Sequence, residues 1–401
     1  MKKLFFLSFF FLVALINAQS PVITKWNTNI NNDNSKEINI YITGSSYTYT
    51  YVKADDPSVT GSGNGNDGMT TITFPQVGEY VVSIYPSAFF TFTFRFGLGS
   101  LGNNKKLAEL SQWGDVSWNN DLSNMFTNCS NLQITATDIP NFPNVINMRY
   151  MFRGCSSLTT IPNMNSWNIS NVTDMYYMFY GATNFNQNIG NWDTSKVTQM
   201  SFMFYGATNF NQNIGNWDIS KVIYMDRMFS DAWAFNQNLG NWQLNSAVYL
   251  TNMFDNSGMN CENYSKTLYG WAENSTTPNN KNLGAVGMKY GVSAQVYRNK
   301  LINDKSWTIS GDSFDSGCDV TLSMADIHKK EIVLYPNPVK DILNFSEDVF
   351  NVRIADISGK MLKQFSVSGK TVDVSKLAKG IYMVTVVAKS GKTVTKKIVK
   401  E

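Results

Sequence analysis

Apolar residues recur on a fixed beat through the middle of this chain. The pair Met-Phe begins at Met125, Met151, Met178, Met203, Met228 and Met253, at intervals of 26, 27, 25, 25 and 25. Trp167, Trp192, Trp217 and Trp242 keep the same period, and "MFYGATNFNQNIGNWD" occurs unchanged at Met178 and Met203. Such self-similarity predicts stacked units, each too small to bury its faces alone. Within one unit, Val197, Met200, Met203, Phe204 and Ala207 follow an i, i+3, i+6, i+7, i+10 pattern. It predicts one face of a short helix, with Ser195 at its start and Gly206 at its end. "NFNQNIGNW" then predicts an extended segment and a tight turn, with Phe210, Ile214 and Trp217 inward. The Asn columns (Asn186/Asn211/Asn236, Asn188/Asn213/Asn238 and Asn191/Asn216/Asn241) are expected to satisfy turn backbone.

The flanks differ in texture. "INIYIT", "YTYTYV", "TTITF" and "GEYVVSIY" alternate with period two and predict short strands of a small β-sandwich. After the last Met-Phe, Cys261 to Asn274 and Ser293 to Asp304 read as helices and Trp307 to Phe314 as strand, a cap for the open end. From Glu331 onward, alternating strands joined by glycine turns return.

Three stretches resemble known families. "NVTDMYYMFYGATNFNQNIGNWDTSKVTQMSFMF" looks like the 25-residue repeat of BspA-like, leucine-rich-repeat bacterial surface proteins, over Trp113 to Ser257. "FPQVGEYVVSI" is similar to the closing strands of a PKD-like domain, although Tyr51 to Pro57 reads "YVKADDP" where that family has a "WGDG"-like turn. "YPNP", "DISGK" and "KGIYMV…KIVK" together resemble the type A C-terminal sorting domain of the type IX secretion system. The implied architecture is an N-terminal PKD/Ig-like β-sandwich (19–100), a central leucine-rich-repeat-type α/β solenoid (101–257) with its cap (258–315), a linker (316–330) and a C-terminal β-sandwich sorting domain (331–401). The resemblances also imply the type IX secretion machinery as a partner, and adhesion as the function class.

Composition narrows the picture. Charged residues are 16% and the net charge is +3, so no strong field points to nucleic acid. Lys2 and Lys3 ahead of the apolar run Leu4 to Ile16, then Ala18-Gln19, predict a secretory signal peptide over 1–18. No other run is long enough to span a membrane, so the mature chain is expected at the cell surface or secreted. The spacings of Cys129, Cys155, Cys261 and Cys318 match no zinc site. Cys129 and Cys155 share a register on adjacent rungs, as buried thiols or, if close enough, as a disulfide. Cys261 and Cys318 bracket the cap, and a disulfide between them is one hypothesis.

Catalysis finds little support. The single histidine, His328, lies in the linker, and no Glu occurs between Glu109 and Glu262. Asp193 and Asp218 are one position on successive rungs, read as polar caps or as exposed ion pairs with Lys196 and Lys221. We therefore expect no catalytic residue, metal or cofactor. Positions that vary between copies are candidates for recognition, and Tyr177, Tyr180, Phe202, Tyr205 and Trp233 could form an aromatic strip for a protein or glycan. Packing against neighbouring rungs is the alternative for the strip. A passive spacer, or less favourably a polysaccharide hydrolase, is the alternative for the whole protein.

Overall fold

The computed structural model describes residues 20–30, 34–44, 46–86, 93–96, 103–318, 320–322, 332, 334–357, 359–388 and 393–401. The expected signal peptide and His328 lie outside them. Alternation in β1 (Val22–Asn27), β2 (Glu37–Thr43), β3 (Tyr47–Lys53), β4 (Asp56–Gly65), β5 (Gly68–Thr73), β6 (Glu79–Pro86), β7 (Thr93–Arg95), β8 (Leu107–Gln112) and β9 (Gln133–Ile134) builds two sheets. One runs β4-β3-β6-β1-β8-β9 and the other β5-β2-β7, with Trp26, Ile40, Tyr80, Ile84, Phe94 and Phe96 buried.

In the β3–β4 pair, tyrosines lie over glycines. A Cβ at Gly65 would collide with the Tyr47 ring, and one at Gly63 with Tyr49. Tyr47 is buried whereas Tyr49 is only partly so. Gly65→Ala should therefore cost about 1–3 kcal/mol and Gly63→Ala clearly less. Denaturant midpoints of the two variants check the ordering.

The expected architecture needs correction. Between Trp113 and Asn260 no α-helix forms among the described residues, which as a set form several β-sheets with few helices. The leucine-rich-type α/β solenoid is thus overturned in favour of stacked tight turns. The hydrogen bonds explain why. Met200, Phe202, Phe204 and Gly206 donate their N–H groups to Tyr224, Asp226, Met228 and Ser230 on the next rung, at 2.8–3.0 Å. The intervening Met203, Tyr205 and Ala207 donate three residues back, to Met200, Phe202 and Phe204. A succession of i→i+3 turns shares the three-residue period of a helix face, which is the signal that predicted one. Gly206 does take positive φ (64°), but inside a turn rather than after a helix.

Nor is the N-terminal part a closed sandwich. Its sheet continues through the parallel β8–β9 pairing into the repeats, and one hydrophobic core runs from Val22 to Ile309. Single parallel bridges then link Asp121, Asn147, Asp174, Gln199, Tyr224 and Tyr249, rung to rung. The C-terminal part is likewise not a two-layer sandwich. It is one barrel-like sheet of β14 (Leu334–Tyr335), β15 (Ile342–Ala355), β16 (Met361–Asp373), β17 (Gly380–Ala388) and β18 (Thr393–Lys400) around its own core.

Repetition creates columns inside the stack. Phe126, Phe152, Phe179, Phe204, Phe229 and Phe254 stack with centroids 5.5–6.1 Å apart. The indoles of Trp192, Trp217 and Trp242 donate to the backbone carbonyls of Met164, Ile189 and Ile214. Outside, the Asn211 N–H bonds the Asn186 amide oxygen, and Asn236 repeats this on Asn211. Gln212 and Gln237 reinforce the same carboxamides.

The cap continues these columns. Asn260 and Asn263 bond Asn236 just as a further rung would. The helix α2 (Cys261–Glu273; α1 is the short Asn103–Lys106) then places the Trp271 indole on the Leu239 carbonyl. Strand β10 (Asn282–Gly284) bridges back to Leu250, and β11 (Lys289–Tyr290), α3 (Gln295–Lys305), β12 (Thr308–Ser310) and β13 (Ser313–Phe314) complete the end. The Arg298 guanidinium grips the Asp312 carboxylate through two 2.7 Å bonds, and the Tyr264 hydroxyl donates to the same carboxylate at 3.0 Å.

Candidate recognition face

One lateral column of the repeats has an unusual backbone. Asn124, Tyr150, Tyr177, Phe202, Arg227 and Asn252 all have positive φ, between 54° and 61°. Asparagine tolerates this left-handed region, but bulky L-residues incur about 1 kcal/mol or more there. The two outer rungs carry Asn, and the four inner ones carry large aromatic or cationic side chains. These four side chains stand on one face of the stack.

The rings on this face form a continuous cluster. Tyr177 stacks on Phe202 (4.4 Å between centroids) and on Tyr180 (4.9 Å), and Tyr180 on Tyr205 (4.9 Å). Tyr150 and Tyr176 extend it by one rung, with Tyr150–Tyr177 at 5.3 Å and Tyr176–Tyr177 at 4.3 Å. Arg149 lies over Tyr176, Arg153 over Tyr180 and Arg227 over Phe202, at 4.8, 5.5 and 5.9 Å. Burial under the neighbouring rings, then the hydrogen bond that the Tyr177 hydroxyl donates to Tyr176, pushes that hydroxyl up to about 12. The Tyr205 hydroxyl is raised as well, first by donating to Asp231 and then by burial.

Four of the five sequence-predicted strip residues therefore meet: Tyr177, Tyr180, Phe202 and Tyr205. The fifth, Trp233, is two residues beyond Asp231 and, among the described residues, has no ring contact to the cluster. It is 67% exposed, while the other nine tryptophans are buried. Tyr224 and Tyr249, stacked at 5.5 Å, add an exposed pair on the bridge column. The sequence reading missed Arg149, Tyr150, Arg153, Tyr176, Tyr224 and Tyr249. Extending the alignment of variable positions one rung earlier, to "NMRYMFRG", would have found the first three.

This geometry sets the chemistry. Rings stacked face to face along the column present edges, hydroxyls and guanidinium planes to solvent, which suits hydrogen bonding and charge more than stacking on sugar faces. Among the described residues Trp233 is 67% exposed and has no ring stacked on it.

The remaining candidates serve structure. Asp193 accepts from the Ser195 N–H and Asp218 from Ser220, each closing a turn. Lys196 reaches Asn171 on the preceding rung, so the exposed Asp193–Lys196 pair is replaced by a rung-to-rung contact. Cys261 and Cys318 are joined in a disulfide with Cα atoms 6.3 Å apart. Cys129 and Cys155 are free and buried; burial pushes both thiols up, and Cys155 donates to the Phe126 carbonyl at 3.1 Å.

Comparison with known proteins matches the repeats, over residues 100–193, 120–217 and 146–271, to the family described as "Mycoplasma protein of unknown function, DUF285". Beta-agarase D of Zobellia galactanivorans is 35% identical over 71 residues, which span 18% of this chain and 15% of the agarase. No solved structure is similar to the chain. Among the described residues no helix is long and apolar enough to cross a membrane. Residues 333–401 match the secretion system C-terminal sorting domain, which implies type IX sorting: the protein is exported to the cell surface or secreted.

Proposed function

We propose that this exported protein recognises a macromolecule outside the cell, protein or glycan, through the aromatic–arginine face and without catalysis. The resemblance to BspA-like surface proteins supports that reading, and so does the strained column. Tyr150, Tyr177, Phe202 and Arg227 occupy a conformation that Asn fills without strain on the outer rungs. Side chains held against backbone preference are a mark of sites under functional demand. The non-catalytic reading rests on the repeat carboxylates being used in turns.

The strain also supplies the test. Replacing Tyr177 and Phe202 together by Asn relieves about 1 kcal/mol at each position but loses about 0.5–1.5 kcal/mol for each ring pair broken, and Tyr177 alone meets Tyr150, Tyr176, Tyr180 and Phe202. The relieved strain offsets only part of that loss, so the melting temperature should fall moderately with the protein still folded. Binding in a glycan and matrix-protein screen should disappear. A large fall in melting temperature, with binding retained, would show that the rings only pack. Silence of the parent protein in the whole screen would favour a passive spacer.

A further inference from the structure

Arg153 and Arg227 are the exceptions among the arginines of the stack and its cap. Arg95, Arg149 and Arg298 each hold a carboxylate, on Asp121, Asp174 and Asp312, at 3.2, 3.3 and 2.7 Å. Among the described residues Arg153 has no ion pair and no side-chain hydrogen bond, and its Nε is buried without a partner. The guanidinium is instead flanked by Tyr150 at 5.8 Å and Tyr180 at 5.5 Å. A dehydrated N–H left unpaired is costly, and a guanidinium flanked by two rings is pre-organised for bidentate contact with an oxyanion. Arg227, over Phe202, also lacks a carboxylate partner among the described residues. Three rungs separate the two, which at strand spacing is about 14 Å along the stack.

We propose that Arg153 and Arg227 are two anchor points for an anionic polysaccharide, each receiving a carboxylate or sulfate ester of one chain laid along the face and crossing from one column to the next. This deepens the recognition reading and rests on it. The repeat of the face argues for a glycan over an acidic peptide. Rungs rise by about 4.8 Å whereas an extended peptide advances by about 3.3 Å per residue, so peptide side chains drift out of step with the rungs. A chain of pyranose rings advances by about one rung per sugar and keeps in register. The half-buried tyrosines beside Arg153, Tyr150 and Tyr180, can bond sugar hydroxyls.

The test uses the full chain and immobilised polymers in matched pairs: dextran sulfate with dextran, and polygalacturonate with its methyl ester, plus poly-glutamate. The expected result is binding to one or both acidic glycans, weakened by salt, and none to their uncharged counterparts. Which acidic member binds separates sulfate from carboxylate. Arg153→Gln and Arg227→Gln should each weaken that binding at least tenfold with the melting temperature unchanged. Arg353→Gln, in the sorting domain, should have no effect.

Equal binding of the uncharged polymers, equal binding of poly-glutamate, indifference to both substitutions, or no binding of any polymer would each overturn the proposal. If an uncharged glycan or a protein binds and the Tyr177/Phe202 double Asn variant abolishes it, recognition by this face stands and only the anionic ligand class falls.

Discussion

Asp312→Asn should lower stability by about 3–5 kcal/mol, the range for breaking a buried ion pair on one side. The Asp312 side chain is 1% exposed and accepts both Arg298 bonds and the Tyr264 hydroxyl. The substitution leaves a guanidinium facing a neutral amide beneath α3. Guanidinium-chloride unfolding, followed by tryptophan fluorescence, should show the end of the stack opening before the rest. Replacing both partners by apolar residues, Arg298→Met with Asp312→Leu, should cost much less than either single change. A pH series adds a control. Burial, then the Asp312 charge, raises the Tyr264 hydroxyl well above its ordinary 10.0. Its contribution is complete below pH 10 and is lost only as the pH climbs through the folded value, so the variant's deficit should be flat across the neutral range.

Phe204→Ala should cost a similar amount, about 3–5 kcal/mol, for a different reason. Phe204 is fully buried, 5.6 Å from Phe179, 5.8 Å from Phe229 and 3.9 Å from Phe210. In a linear array, stability is approximately a sum of unit and neighbour terms, and this one truncation weakens both interfaces of a central rung. One residue on, Tyr205→Ala touches only the face and should cost no more than about 1.5 kcal/mol. Trp233→Ala, on an exposed position, should stay within about 0.5 kcal/mol. Equal losses at Phe204 and Tyr205 would contradict the division between core and face.

What the sequence made legible follows from how each signal arises. The unit length and the inward Met, Phe, Ile and Trp could be read because burial imposes composition on every copy. The helix was misread because Val197, Met200 and Met203 recur every three residues both in a helix and in linked turns; only the destination of the N–H groups tells them apart. The left-handed backbone at Tyr177 and Phe202 was invisible, since aromatic residues argue against it, and the Asn at the outer rungs was its one trace. Trp271 was read as part of a separate cap because its helix hides the 25-residue beat. On the face, alignment of variable positions gathered Tyr177, Tyr180, Phe202 and Tyr205. It could not tell that the chain turns a corner before Trp233.

The amide ladder has one more consequence. From Asn186 onward each rung meets the next through the same asparagine carboxamide, and the cap helix takes hold through Asn236 in that very way. A 25-residue cassette could thus be gained or lost by unequal recombination between the identical segments at Met178 and Met203, and both new junctions would still fit. Such a protein can change its reach in whole steps without redesigning either terminus, and its length becomes a heritable variable separate from its fold.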